Sequence, residues 1–227
     1  MFRQALIIFL TMLIYACGGS GSSDDINGAV DEAARVRQAN IHLINTASES
    51  IDFFIRNEAD TDTLFDSSNN VVSNNDKDVS EYTFQWNISD SVKTQIGAWD
   101  TNSQTLQTQL DSVVMNDTDK LWGIAWLDEG NGELMLTTLK RQASDLASKW
   151  RVRVLSPKDT QITNSNIDDL QTEGATKGVV TPYFTIDSCS SDLFIGAEAV
   201  DLCSLEIGKS YLLITDGDVL LVAAEEK

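Results

Sequence analysis

The chain has 227 residues and carries 35 acidic against 16 basic side chains, a formal charge of −19 at pH 7. Such a negative surface excludes binding to nucleic-acid phosphates through basic contacts and electrostatic docking on anionic lipid, but it leaves weak calcium binding open. A hydrophobic fraction of 42% is enough for a folded core and excludes a wholly disordered chain.

A short apolar run opens the chain, from Ala5 to Ala16 behind the single basic residue Arg3. It is too short for a transmembrane helix of about 20 residues, and its layout is that of a secretory signal peptide. The run ends Leu13-Ile14-Tyr15-Ala16-Cys17, which resembles the lipobox of bacterial lipoproteins. The resemblance implies that residues 1–16 are a signal peptide and that Cys17 carries a covalent lipid. A plain secretory signal and an uncleaved anchor are the alternatives.

Residues 17–34 begin with a Gly-, Ser- and Asp-rich stretch. This composition predicts a flexible tether between the lipid and the folded part. Residues 26–38 fit either a short helix or an extended lead-in. By the same resemblance, Gly18 after the lipidated cysteine implies an outer-membrane lipoprotein in the bacterial cell envelope. Whether it faces the periplasm or the cell surface stays open.

Strand patterns dominate from residue 40 onward. Residues 82–88 alternate strictly between aromatic or aliphatic and polar side chains, as a half-buried strand does. Two apolar runs around the turn at 128–133 predict a β-hairpin, and the polar stretch at 66–78 predicts a surface loop. The predicted strands of this half are 40–45, 50–55, 82–88, 92–99, 106–114, 122–127 and 134–139.

The strand pattern restarts at Trp150. Residues 150–157 predict a strand and a turn, residues 158–178 are polar and predict a loop, and Asp216-Gly217-Asp218 marks a second hairpin. Further short strands are expected at 179–186 and 191–195. Many short strands with regular turns predict a mainly β fold: two tandem antiparallel Ig-like β-sandwich units at 35–147 and 148–227.

Four short segments resemble parts of DUF4397 domains. Residues 151–159 are similar to the basic-aliphatic opening strand and Ser-Pro-Asp turn of that family. Residues 40–47 with 51–55 are similar to the same opening and its following strand. Residues 205–211 are similar to its closing Gly-Lys-x-Tyr strand. The resemblance implies Ig-like sandwiches on cell-surface proteins and no established activity.

The remaining cysteines and two tryptophans are candidate site residues. Cys189 and Cys203 are the two cysteines left after Cys17, and in an oxidising compartment an even number of cysteines predicts a disulfide. The alternative, a metal site with two thiols, lacks a histidine nearby in sequence. Trp122 and Trp126 are at even spacing on one strand and share a face. They are predicted to be core, with a ligand-facing platform for glycan stacking as the alternative.

No set of residues in the sequence predicts catalysis. The single histidine, His42, lies mid-strand on the polar side of the alternation, and the Gly-x-Ser-x-Gly and phosphate-loop motifs are missing. The acidic turns at 128–131 and 216–218 fit backbone roles better than calcium. We therefore expect a non-enzymatic interaction or structural module with an envelope protein or glycan as partner and no cofactor beyond the lipid. A glycan- or calcium-binding module and, less favoured, a carboxylate-based hydrolase are the alternatives.

Overall fold

The structure is a computed structural model, and it describes residues 36–87, 90–102, 106–165 and 171–227. The predicted signal peptide at 1–16, the predicted lipid site Cys17 and the tether at 17–34 lie outside the described residues. Within the described ranges, no helix has the length and hydropathy needed to span a membrane.

The first half of the fold is a sandwich of two four-stranded sheets, ordered β4-β1-β7-β8 and β3-β2-β5-β6. A one-turn 3-10 helix at Ser67–Asn69 precedes the third strand. The strands are β1 (Val36–Asn45), β2 (Ile51–Asn57), β3 (Asn70–Asn74), β4 (Val79–Asn87), β5 (Lys93–Asp100), β6 (Gln107–Val114), β7 (Lys120–Leu127) and β8 (Leu134–Lys140).

The second half is another sandwich of two four-stranded sheets, ordered β12-β9-β15-β16 and β11-β10-β13-β14. Its strands are β9 (Trp150–Leu155), β10 (Thr160–Asn164), β11 (Gln171–Ala175), β12 (Phe184–Ile186), β13 (Leu193–Ile195), β14 (Glu198–Ala199), β15 (Ser210–Thr215) and β16 (Leu220–Glu225). The expected hairpins, β7–β8 and β15–β16, are antiparallel as predicted.

The second sandwich repeats the topology of the first. Each of its strands takes the place of the strand whose number is eight lower, so β9 corresponds to β1 and β15 to β7. In each sandwich the first and seventh strands pair in parallel, whereas every other pairing is antiparallel. The registers correspond as well, since Leu43 lies opposite Gly123 in the first copy and Val154 opposite Leu213 in the second. The predicted fold class of tandem β-sandwiches is therefore confirmed.

Each sandwich has its own apolar core between its two sheets. In the first, Ile41 and Leu43 of β1 face Phe53 of β2 and Ile96 of β5, and all four are 0% exposed. Burying side chains of this size contributes about 1.5–3 kcal/mol each. The second core, around Val152, Phe184 and Leu213, is built in the same way.

A third apolar layer joins the two sandwiches. The sheets β4-β1-β7-β8 and β12-β9-β15-β16, here called the inner sheets, turn their second faces towards each other. The molecule is thus a stack of four sheets, with an outer sheet (β3-β2-β5-β6 or β11-β10-β13-β14) at each end. The interface layer between the inner sheets consists of Ile44, Trp122, Ile124, Trp126, Leu155, Leu212, Ile214, Val222 and Ala224.

Two regions predicted to be loops contain strands. Residues 66–78 include β3, and residues 158–178 include β10 and β11. These strands have few apolar residues because they lie in the outer sheets, which bury one face only. Ile162 of β10 is fully buried, and the buried Asn74 side chain of β3 donates to the Leu43 carbonyl at 2.8 Å.

The segment between the sandwiches is fixed by hydrogen bonds. The Asp145 carboxylate accepts from the backbone N–H of Ser210 at 2.9 Å and from its hydroxyl at 2.7 Å. The same Ser210 hydroxyl accepts from the backbone N–H of Ser144 at 2.9 Å. Because Ser210 begins β15, these bonds attach the connecting segment to an inner sheet.

The predicted disulfide between Cys189 and Cys203 is present, with Cα atoms 4.8 Å apart and a sequence separation of 14. It crosslinks the segment after β12 to the segment after β14. We expect replacement of both cysteines by serine to lower the free energy of unfolding by about 3 kcal/mol, since a loop of this length loses that much chain entropy when closed. Urea unfolding of the double variant against the oxidised parent checks this, and an unchanged midpoint would contradict it.

Candidate functional site

Trp122 and Trp126 share a face, as predicted, but that face is covered by the second sandwich. Trp122 is 1% and Trp126 is 5% exposed. The indole N–H of Trp122 donates to Glu226 at 3.0 Å, and that of Trp126 donates to the Thr137 hydroxyl at 3.0 Å. Their interpretation as ligand-facing aromatics is therefore wrong, because the inner sheet of the second sandwich occupies the space that a glycan would need.

Trp126 also requires a glycine in the facing sandwich. A Cβ atom on Gly178 would lie 2.8 Å from Cζ2 of the Trp126 ring, and Gly178 has a φ of +70°. Both the close approach and the left-handed backbone exclude a larger residue there. The turn after β11 therefore lies directly on the ring.

The buried carboxylate of Glu226 is the polar centre of the interface. Its Oε2 atom accepts from the Trp122 indole at 3.0 Å and from the backbone N–H of Gln142 at 3.1 Å. Its Oε1 atom accepts from Nε of Arg153. Glu226 is 1% and Arg153 is 8% exposed. One carboxylate thus binds the first sandwich, the connecting segment and the second sandwich.

The Arg153 guanidinium has two further partners that stabilise its positive charge, a backbone carbonyl and an aromatic ring. Its NH2 group donates to the Lys140 carbonyl at 2.8 Å, and its Cζ atom lies 5.5 Å from the centre of the Tyr183 ring. The Tyr183 hydroxyl donates to the Gln142 carbonyl. A buried ion pair is tolerated when such additional bonds satisfy both charges, so this arrangement is that of a structural pair.

His42 occupies the same interface. It lies on β1 opposite Trp122 of β7, with ring centroids 5.2 Å apart in an edge-to-face arrangement. Its Nε2 atom is 3.7 Å from the Glu81 carboxylate. Arg141 covers the other part of the tryptophan, with Cζ 4.6 Å from the ring centre.

We expect His42 to titrate below the usual pKa of 6.5. Burial lowers its pKa first, the Arg141 charge lowers it further, Glu81 opposes this and Lys120 adds to the lowering. Because the unfolded chain binds a proton that the folded chain does not, stability falls as the pH drops below 6.5 towards the folded pKa. The chain has a single histidine, so one NMR imidazole signal reports the midpoint. A midpoint at or above 6.5 would contradict the burial argument, and His42→Phe should lose this part of the pH slope.

The acidic turns at 128–131 and 216–218 both form ion pairs with lysines of the second sandwich. Lys177 of the second sandwich binds the Asp128 carboxylate of the first, and this bond lowers the pKa of Asp128. Lys158 lies 2.7 Å from Asp218 and 3.6 Å from Glu129. Among the described residues, no group of three or more His, Cys, Asp or Glu side chains has an arrangement for holding a metal ion. These acids therefore have structural partners on the protein.

Sequence reasoning missed Arg153 and Glu226. Arg153 lies between Val152 and Val154, so the alternation of β9 assigns it to the face away from the sandwich core. That assignment is correct, but the face is covered by the first sandwich instead of solvent. An apolar run without alternation, as in β7, is a signal for a strand buried on both faces, and it points to a second covered face. The pattern at Glu226 carries no signal of burial.

The chain matches no protein-family model, and no curated protein is significantly similar to it in sequence.

Proposed function

We propose that this chain is a lipoprotein anchored in the bacterial cell envelope, and that its folded part is a rigid, non-enzymatic interaction or structural module. The segment Leu13–Cys17 and the Gly-Ser tether support the anchor. The resemblance of residues 151–159 and 205–211 to DUF4397 domains supports a place in the cell envelope. The formal charge of −19 suits a protein held at the membrane through lipid and not through basic contacts.

One observation carries the module part of the proposal: the conspicuous chemical groups of the chain are used to join the sandwiches. The tryptophan pair and the buried Arg153–Glu226 pair lie between the inner sheets, and the single histidine packs edge-to-face against Trp122. A catalytic group has to reach its substrate, and these groups contact one another. The arrangement supports a body whose two halves keep a fixed orientation at the end of a flexible tether.

The anchor is tested by replacing Cys17 with alanine in cells and fractionating the envelope. We expect the parent to sediment with the membrane fraction and to be released by detergent, because a lipidated cysteine with two or more acyl chains is stably anchored. The variant should be neither processed nor lipidated at position 17. Metabolic labelling with a fatty acid gives an independent readout. Equal lipid labelling and equal membrane retention of both proteins would contradict the proposal.

The interaction role is tested by capture from detergent-solubilised envelopes with the full chain as bait. Chemical crosslinking in intact cells before lysis identifies the partner without relying on affinity after extraction. We expect a specific envelope component to be enriched with the parent. Loss of that enrichment in Cys17→Ala cells, with normal capture by the purified chain, would indicate that the anchor acts by placing the module.

A further inference from the structure

The outer sheet of the first sandwich has an aromatic cleft on its exposed face. The cleft has a volume of about 200 Å³ and is lined by Asp52, Phe54, Phe65, Ser67, Asn70, Trp99, Asp100 and Thr101. It lies far from the interface layer in the stack, since the whole first sandwich core separates the two. Neither the sequence motifs nor the interface explains it.

Three aromatic rings form its apolar part. The ring centroids of Phe54 and Phe65 are 5.3 Å apart, those of Phe65 and Trp99 are 5.7 Å apart, and those of Phe54 and Trp99 are 6.0 Å apart. Phe54 is 4% exposed, whereas Phe65 and Trp99 are half-buried and keep accessible surface. The indole N–H of Trp99 is buried and finds no hydrogen-bond partner among the described residues.

One wall of this cleft is a loop that hydrogen bonds hold in place over the sheet. Residues 58–69 fold back over the sheet, and Arg56 donates to the Asp60 carbonyl at 2.9 Å and to the Asp62 carbonyl. Gly97 makes room for the loop, because a Cβ there would lie 2.8 Å from Cε1 of Phe65. Asp66 accepts from the Ser68 backbone at 3.0 Å and so caps the short 3-10 helix. The loop is therefore preorganised, which lowers the cost of binding.

The polar rim selects the chemistry of the ligand. The accessible polar groups of the rim are one carboxylate, one amide and two hydroxyls, because the Asp100 side chain is only 2% exposed. The described lining residues include no Lys or Arg, so an anion is disfavoured. A carboxylate offers about four acceptor positions, so Asp52 accepts from ligand hydroxyls besides the Ser73 hydroxyl. The Asn70 amide can both donate and accept, whereas the Thr101 hydroxyl donates to the Ser50 carbonyl at 3.0 Å and is left as an acceptor. The rim matches a ligand that carries several hydroxyl groups.

The size and the rings restrict the ligand further. Sites for drug-sized ligands begin at roughly 300 Å³, so this cleft accommodates a single ring. A cage for a quaternary ammonium needs aromatic faces spread around the cation, whereas these three rings pack against one another. The C–H face of a pyranose suits such a packed aromatic surface, and its hydroxyls suit the rim.

We propose that the cleft at Phe65 and Trp99 is a subsite for one saccharide ring of a glycan. A saccharide ligand rests on the interaction role proposed above but does not depend on the lipid anchor. The aromatic surface that a sugar would stack on is then the outer face of the first sandwich, and not Trp122 and Trp126 in the interface.

Saturation-transfer NMR with the full chain in detergent tests the proposal. Glucose, galactose, mannose and N-acetylglucosamine are each added at ~10 mM, a concentration that detects binding with a Kd of about 1 mM. At least one of them should receive saturation. Trp99→Ala and the isosteric Asp52→Asn should each weaken that binding about tenfold or more. Phe194→Ala is the matched control, because Phe194 lies on the exposed face of the other outer sheet, and it should bind like the parent.

Three outcomes would overturn the proposal. The first is no transfer to any of the four sugars. The second is sugar binding that Asp52→Asn and Trp99→Ala both leave unchanged, which would place the site elsewhere. The third is binding of tetramethylammonium without any sugar, which would assign the cleft to a cation. Because the chain is studied in detergent, none of these results depends on whether Cys17 carries lipid, so the subsite and the anchor fail separately.

Discussion

Replacing Glu226 by alanine is expected to lower the free energy of unfolding by about 3–5 kcal/mol, because it leaves the buried Arg153 charge without its counter-charge. The same change removes the acceptor of the Trp122 indole and of the Gln142 backbone N–H. Both donors are at least partly buried and would lose a bond that water does not readily replace. Urea unfolding followed by circular dichroism measures the effect.

The neighbouring Glu225 provides a matched control. Its carboxylate is 3.6 Å from the Lys209 ammonium and its side chain is 39% exposed, and exposed pairs of this kind are worth about 0–1 kcal/mol. Glu225→Ala should therefore cost little. Replacing Arg153 and Glu226 together by Met and Leu should recover part of the loss, since no unpaired charge then remains. If Glu226→Ala costs no more than Glu225→Ala, the pair does not hold the interface.

Replacing Trp122 by alanine is expected to cost about 3–5 kcal/mol, the usual range for a fully buried tryptophan. Trp122 contacts His42 and Arg141 and donates to Glu226, so its loss opens a cavity between the inner sheets and removes a hydrogen bond. Because the cavity lies between the sandwiches, we also expect their unfolding to separate. Two thermal transitions should replace one.

Trp86 is the control for that second effect. It is 5% exposed and belongs to the core of the first sandwich, where it stacks on Phe84. Trp86→Ala should cost a comparable free energy without removing any part of the interface layer. Loss of coupling in Trp122→Ala and its retention in Trp86→Ala would assign coupling to the interface. Equal behaviour of the two variants would contradict that assignment.

The alternation of side chains predicted the fold well. Strand β4 has one clear period, and the hairpin β7–β8 consists of two apolar runs around a turn in which Gly132 has a positive φ, so local chemistry determines them. The Cys189–Cys203 disulfide was predicted from the even number of remaining cysteines and from the oxidising compartment that a secretory signal implies. Strands β3, β10 and β11 were missed because their exposed residues are polar and their buried residues are few, as expected at one-sided outer sheets.

The interface and the cleft depend on contacts that are distant in sequence. Trp122 and Glu226 are 104 residues apart, and no local pattern announces that an acidic side chain will be buried against an indole. In the cleft, Phe65 belongs to a polar loop and Trp99 to a strand, and they meet because Gly97 leaves space between them. Aromatic residues were recognised in the sequence, but which of them face solvent depends on how the sandwiches pack.

Differential scanning calorimetry of the full chain tests the central claim most directly, namely that the interface layer makes the two sandwiches one rigid body. We predict a single transition whose calorimetric and van't Hoff enthalpies agree, as they do for one cooperative unit. Two resolved transitions, or a calorimetric enthalpy well above the van't Hoff value, would show that the sandwiches unfold independently and would contradict the claim.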